Sequence, residues 1–157
     1  MKKLVIVLFI VVSSVVTVKA QDYKTSLGLR AGVPYGLTIK HFVGKYNAVE
    51  GILASRYQGF VITGLWEFEK WTGHFPGLNW FWGVGPHIGF WDAGNNPNLN
   101  SSYSGGAVIG ADGILGLEYT FDEIPLNLSL DVLPTVNLIG STGWGGINGA
   151  LSIRYVF

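Results

Sequence analysis

Three histidines, His41, His74 and His87, are the only imidazoles in a chain of 157 residues that has no cysteine. Together with the serines and carboxylates they are the groups that could do acid–base, nucleophilic or metal chemistry. His87 is the most suggestive of the three. It lies in the alternating stretch GVGPHIGFW, on one face with Gly83, Gly85 and Gly89, and Asp112 or Glu118 on the next strand could reach it. A catalytic triad would also need a serine within hydrogen-bond reach and an orienting acid. No local motif supplies that serine, so a histidine satisfied within a polar network is the weightier reading. His74 falls in a loop and His41 near a strand end, where each reads as interfacial or solvated. The three have no metal-ligand spacing. The G-x-G of GVGPHIGFW lacks a following helix, which argues against nucleotide binding. No catalytic residue, metal site or cofactor is expected.

What must position these groups is a set of strands. After Gln21 no stretch has helical periodicity; period-two alternation broken by turn residues recurs instead. Eight segments emerge, near 25–33, 35–43, 46–56, 59–69, 79–91, 107–120, 125–133 and 146–157. Most approach the ~9–11 residues of a tilted membrane strand, longer than the ~5–6 common in soluble sheets. Pro86 conflicts with its strand, since proline removes a ladder donor, and a bulge or shifted boundary is expected there.

Each segment has one nearly pure apolar face. The opposite face collects glycine, small polar groups and isolated charges: Arg30, Lys40, Glu50, Arg56, Glu67, His87, Asp112, Glu118, Asp131 and Arg154. Alternation alone does not say which face is inside. One or two charges per strand are too sparse for a solvated exterior, but they suit a narrow lumen in which opposite charges pair. Four bases against five acids make such a set nearly self-neutralising, as buried charges require. Strands facing lipid must close, because an open edge leaves backbone groups unsatisfied in hydrocarbon. Eight is the usual minimum, with an interior just filled by side chains. On the apolar face Trp80 and Phe90 are ten residues apart, ~33 Å along a strand and ~25 Å after a tilt of ~40°, near the height of an apolar band between aromatic girdles. The fold expected is all-β, an eight-stranded antiparallel transmembrane up-and-down β-barrel.

Composition agrees. Charged residues are 13% of the chain, apolar residues 48%, and there are 23 glycines; soluble domains carry about 25% charge. The first twenty residues read as a cleaved secretory signal: Lys2 and Lys3, an apolar run of fifteen, then Val18 and Ala20 before the cut. That run is short of the ~20 residues a spanning helix needs. Residues 21–157 then form the barrel domain, with 7 basic and 10 acidic residues, net −3. This is no nucleic-acid footprint.

The leader, the eight alternating strands and the terminal IRYVF resemble the small outer-membrane β-barrel proteins of Gram-negative bacteria, the OmpA/OmpX size class. GLRAG, GLTIKHF, GLEYTF and IPLNLSLD further resemble glycine-rich barrel domains common in Bacteroidota. The resemblance covers the whole mature chain and rests on pattern. It implies an outer-membrane location, both termini in the periplasm and the longer loops outside. DAGNNPNLNSSYSGG and PTVNLIGSTGWGG would be external; GKYN and FDEIP would be internal. EKWTGHFPGLN is long for a periplasmic turn. The resemblance also implies that Leu151, Ile153, Tyr155 and Phe157 are the signal read by the barrel-assembly machinery.

The expected role is structural or surface-interacting, without catalysis. The partners are outer-membrane lipid and, during biogenesis, the assembly machinery. The loop 92–106, rich in asparagine and serine, offers a hydrogen-bonding surface to an extracellular ligand, although a polar connection without a ligand weighs more. Three alternatives stand beside this: a lipid-modifying barrel enzyme like the lipid A deacylases and acyltransferases, a small-solute pore, and a soluble periplasmic barrel. The deacylase-like His-x-Ser pattern is missing from the sequence.

Overall fold

The computed structural model describes residues 24–92 and 105–157. The leader and most of the loop 92–106 lie outside the described residues. Eight antiparallel strands follow one another around a closed barrel: β1 (Thr25–Val33), β2 (Tyr35–Phe42), β3 (Asn47–Arg56), β4 (Gly59–Trp71), β5 (Leu78–Asp92), β6 (Gly105–Thr120), β7 (Leu126–Ile139) and β8 (Gly143–Val156). Each strand pairs with its sequence neighbour, and β1 closes on β8 through pairs running from Ser26↔Val156 to Val33↔Gly149. Closure leaves no free edge, the condition a lipid-facing sheet must meet.

The pleat sends alternate residues to opposite faces, as period two requires. Leu29, Leu130 and Ile147 point outward, 60%, 61% and 67% exposed, while Lys40 and Arg154 in the lumen are 0% exposed. This is the inverse of a water-soluble barrel. The lumen is not wholly polar, however. Ile52, Leu65, Phe81, Val108, Ile114 and Leu133 form an apolar cluster inside it. They share the parity of the charged positions, and they fill space that charges alone would leave needing water.

Three expectations are corrected. PTVNLIGSTGWGG is not mainly a loop, because β7 runs to Ile139 and β8 starts at Gly143. Proline and glycine suggested a break, but the ladder absorbs them with a register shift at Thr135/Val136 against β8. EKWTGHFPGLN shrinks likewise, since β4 continues to Trp71 and β5 begins at Leu78. Pro86 produces neither a bulge nor a strand end. Thr63↔His87 and Trp66↔Val84 keep one register on either side of it, and Pro86 still faces Ala111 on β6. The backbones lie so close here that a Cβ on Gly85 would stand 1.8 Å from the Gly64 carbonyl oxygen. Glycine at position 85 lets the two backbones approach there, and the ladder passes the missing donor without inserting a residue.

Aromatic pairs mark the outer wall. Phe60 stacks on Phe90 with ring centroids 4.9 Å apart, and Phe68 on Trp82 at 4.7 Å. The two pairs sit eight residues apart on β4, ~26 Å along the strand and ~20 Å after a tilt of ~40°. Trp82 takes the partner position to Phe90 that spacing alone gives to Trp80. Trp80 instead lies under the Lys70 ammonium, 5.9 Å from the ring centroid.

Candidate functional site: the charged lumen and its vestibule

Each strand delivers polar side chains to the lumen, from one on β5 to four on β7, and closure brings together groups far apart in the chain. Arg30 on β1 crosses to Asp131 on β7. Its Nη1 donates to Oδ2 at 2.8 Å, and Nη2 contacts Oδ1, a two-pronged pair. A guanidinium matches a carboxylate in this way, giving orientation as well as energy.

Lys40 on β2 is the hub nearer the chain termini. Its ammonium lies 3.0 Å from Glu67 and 2.8 Å from Glu118, and it also contacts Glu69. The Phe81 ring stands beneath it at 4.6 Å, an additional cation–π attraction in a dry setting. Arg154 on β8 forms the second hub. It pairs with Glu50 on β3, lies 3.4 Å from Glu118, and donates to Asn127 Oδ1 at 3.2 Å and Ser129 Oγ at 2.9 Å. Thr38 donates to Glu50 and accepts from Arg154 Nε at 3.3 Å. Glu118 therefore joins the two hubs.

A third group lies toward the end away from the termini. His87 Nδ1 is 2.9 Å from Asp112 Oδ1, its Nε2 is 3.2 Å from Asn137 Oδ1, and Thr63 donates to Asp112 Oδ2 at 3.0 Å. Both imidazole nitrogens thus face amide or carboxylate oxygens rather than a hydroxyl. Beside them a recess of about 40 Å³ is lined by Arg56, His87, Trp91, Asp112, Asn137 and Asn148, among others. Trp91 folds inward over Gly59 and Gly89, where a Cβ would come within 2.2 Å of its ring, and its Nε1 donates to the Arg56 carbonyl at 2.7 Å.

Nine of the ten lumen positions read from the sequence join these three ion-paired groups: Arg30, Lys40, Glu50, Glu67, His87, Asp112, Glu118, Asp131 and Arg154. Arg56 does not. It ends β3 beside the vestibule, where Nη2 donates to Tyr57 Oη at 3.3 Å and the guanidinium lies 4.6 Å over that ring. The reach of an arginine at a strand end carries its charge past the paired layers. Glu69, Phe81, Trp91 and Asn137 are additions. Glu69 and Trp91 keep the parity of Glu67 and His87, one and two steps further along segments 59–69 and 79–91, so following parity to the ends of those segments would have found them. Asn137 was hidden in the segment that looked like a loop. Leu151, Ile153 and Phe157 lie on the outer face, 53%, 46% and 47% exposed, with Tyr155 half-buried beside them.

The comparisons with known proteins speak to the fold. No family model matches the chain, and no curated protein does. Among solved structures, the N-terminal β-barrel domain of Pseudomonas aeruginosa OprF matches with a TM-score of 0.64 over 87% of this chain and 98% of that one. The chain shares an outer-membrane barrel domain's fold. At 16% identity the likeness is one of architecture, and the side chains of the lumen have to be read on their own.

Proposed function

We propose that this protein is an integral outer-membrane β-barrel with a structural or surface-interaction role. The observation that carries the reading is the inverted distribution of polarity. A closed wall exposes Leu27, Leu29, Leu37, Ile39, Leu53, Ile62, Leu115, Leu117, Leu130 and Leu151 all round, while the charges pair inside. Such a surface has no stable arrangement in water as a monomer, and closure satisfies its backbone in hydrocarbon. The likeness to the barrel domain of OprF supports the same location. On this reading the termini end faces the periplasm, and the barrel reaches its membrane after export directed by residues 1–20. Outer-membrane lipid surrounds the wall. Leu151, Ile153, Tyr155 and Phe157 present the pattern recognised by the assembly machinery, and the loop 92–106 is the place for an extracellular ligand.

Fractionation tests this directly. The protein is expected in the outer-membrane fraction, released by detergent, with an electrophoretic mobility that changes on boiling. Recovery from the soluble periplasmic fraction without detergent overturns the membrane reading. His87 bears on the enzymatic alternative. Its ring nitrogens face the Asp112 carboxylate and the Asn137 amide oxygen, and the Thr63 hydroxyl beside them donates to Asp112; a barrel with His87→Ala is expected to leave lipid A species unchanged by mass spectrometry.

A further inference from the structure

Arg56 is the lumen-face base that makes no ion pair among the described residues. No carboxylate of the described residues lies within ion-pair distance of it, and its Nε is buried with no hydrogen-bond partner. The adjoining segment 93–104 contains neither aspartate nor glutamate. Asp92 points outward on β5, and Asp122 and Glu123 belong to the β6–β7 turn at the opposite end. Asp22 lies before β1 in sequence, outside the described residues. A guanidinium at a recess, with no ion-pair partner among the described residues and with the recess's own carboxylate, Asp112, engaged by His87 and Thr63, favours an anion from outside.

We propose that the vestibule binds a small monocarboxylate, with Arg56 as its counter-charge. The walls narrow the class. Asp112 faces the same recess and disfavours a second negative charge on the ligand. Val61, Trp91 and Leu133 supply an apolar side suited to a short aliphatic tail. A volume of about 40 Å³ limits that tail to a few atoms. A planar carboxylate fits the guanidinium fork, whereas a phosphate would bring added charge and bulk. Asn148 also lines the recess. Its Nδ2 now donates to Thr135 Oγ1 at 3.3 Å, while its buried Oδ1 has no partner.

The Trp91 indole N–H, bonded to the Arg56 carbonyl, provides a local reporter. Protein labelled with ¹⁵N at tryptophan, folded in detergent, is titrated with sodium propionate, with sodium chloride and inorganic phosphate at matched ionic strength as parallel arms. The Trp91 resonance, identified with Trp91→Phe, is expected to shift saturably with propionate alone. Arg56→Gln should weaken that binding by about tenfold or more, and Arg56→Lys by less, since the charge remains while the fork is lost. Arg56 pairs with no lumen acid, so both variants should keep the mobility of the folded barrel. The proposal is overturned if propionate gives no saturable shift, if Arg56→Gln binds as the parent does, or if phosphate or chloride saturates the same resonance equally well. The parent titration alone decides the matter should a variant fail to fold.

Discussion

Lys40 and Glu118 meet across the lumen at 2.8 Å, although 78 residues separate them and their strands, β2 and β6, are not neighbours. The contact ties opposite walls of the barrel together. It is surrounded by Glu67, Glu69 and the Phe81 ring on one side and by Arg154 on the other. Neither partner reaches solvent, so the contact depends on mutual compensation.

Removing the lysine should therefore cost far more than a surface charge would. Lys40→Met leaves Glu67, Glu69 and Glu118 facing one another with only Arg154 nearby. Loss of one partner from a buried pair typically costs about 3–5 kcal/mol. Urea unfolding in lipid vesicles, followed by the boiled-versus-unboiled mobility shift, is expected to show a decrease of that order.

The Arg30–Asp131 pair is more self-contained, and its prediction has a different form. Arg30→Met alone should destabilise by about 3–5 kcal/mol, because Asp131 is left buried and unpaired. The double variant Arg30→Met/Asp131→Leu should recover most of that loss, as apolar replacement of a whole buried pair is often close to neutral. A double-mutant cycle on the unfolding free energy measures the difference. Equal destabilisation of the single and double variants contradicts the pairing.

At the β1–β8 seam, space rather than charge is limiting. A Cβ on Gly28 would stand 1.9 Å from the Ile153 carbonyl oxygen and 2.6 Å from Arg154 Cα, both backbone atoms that cannot swing away. Gly64 faces outward with nothing within 4 Å. Gly28→Ala should cost about 1–3 kcal/mol and reduce the folded fraction, whereas Gly64→Ala should stay within about 0.5 kcal/mol. The same unfolding assay compares them.

On the outer wall, Leu130 is 61% exposed and pairs with Leu117 and Leu151 in the midst of other leucines. In a bilayer Leu130→Arg should lose about 2–4 kcal/mol if the residue lies near the midplane. In a detergent micelle, which deforms around a charge, the loss should be smaller. Similar stability of parent and variant in vesicles would argue against a lipid-facing wall.

Phe157 plays two parts that a substitution separates from a deletion. Its N–H donates to the Thr25 carbonyl at 2.9 Å, and its own carbonyl accepts from Thr25 N–H at 3.2 Å, so its backbone helps close the barrel. Phe157→Ala keeps those bonds and removes only the exposed ring. The variant should fold in vitro nearly as well as the parent yet accumulate at lower yield in the outer membrane. Normal accumulation in cells would remove Phe157 from the targeting signal.

What could be read from the chain was governed by period two. Alternation in segments such as SLGLRAG and LNLSLD separates an apolar face from a polar one, and it put residues such as Arg30, Lys40, Glu50, Asp131 and Arg154 on the polar face because parity fixes the face whatever the strand's ends. Strand ends were less legible. Pro134, Gly140 and the run WTGHFPG looked like breaks, yet neighbouring strands extend the ladder past Pro134 and leave only short turns at the other two sites. Stopping the seventh segment at 133 hid Asn137. Partner choice lay beyond the sequence entirely. Nothing local tells Arg30 to meet Asp131, or Lys40 to join Glu118 rather than the adjacent Glu50. Those pairings are set by the stagger of eight closed strands, which decides what lies opposite across the lumen. The same closure left Arg56 without an ion pair among the described residues, a consequence of three-dimensional register that a count of charges conceals.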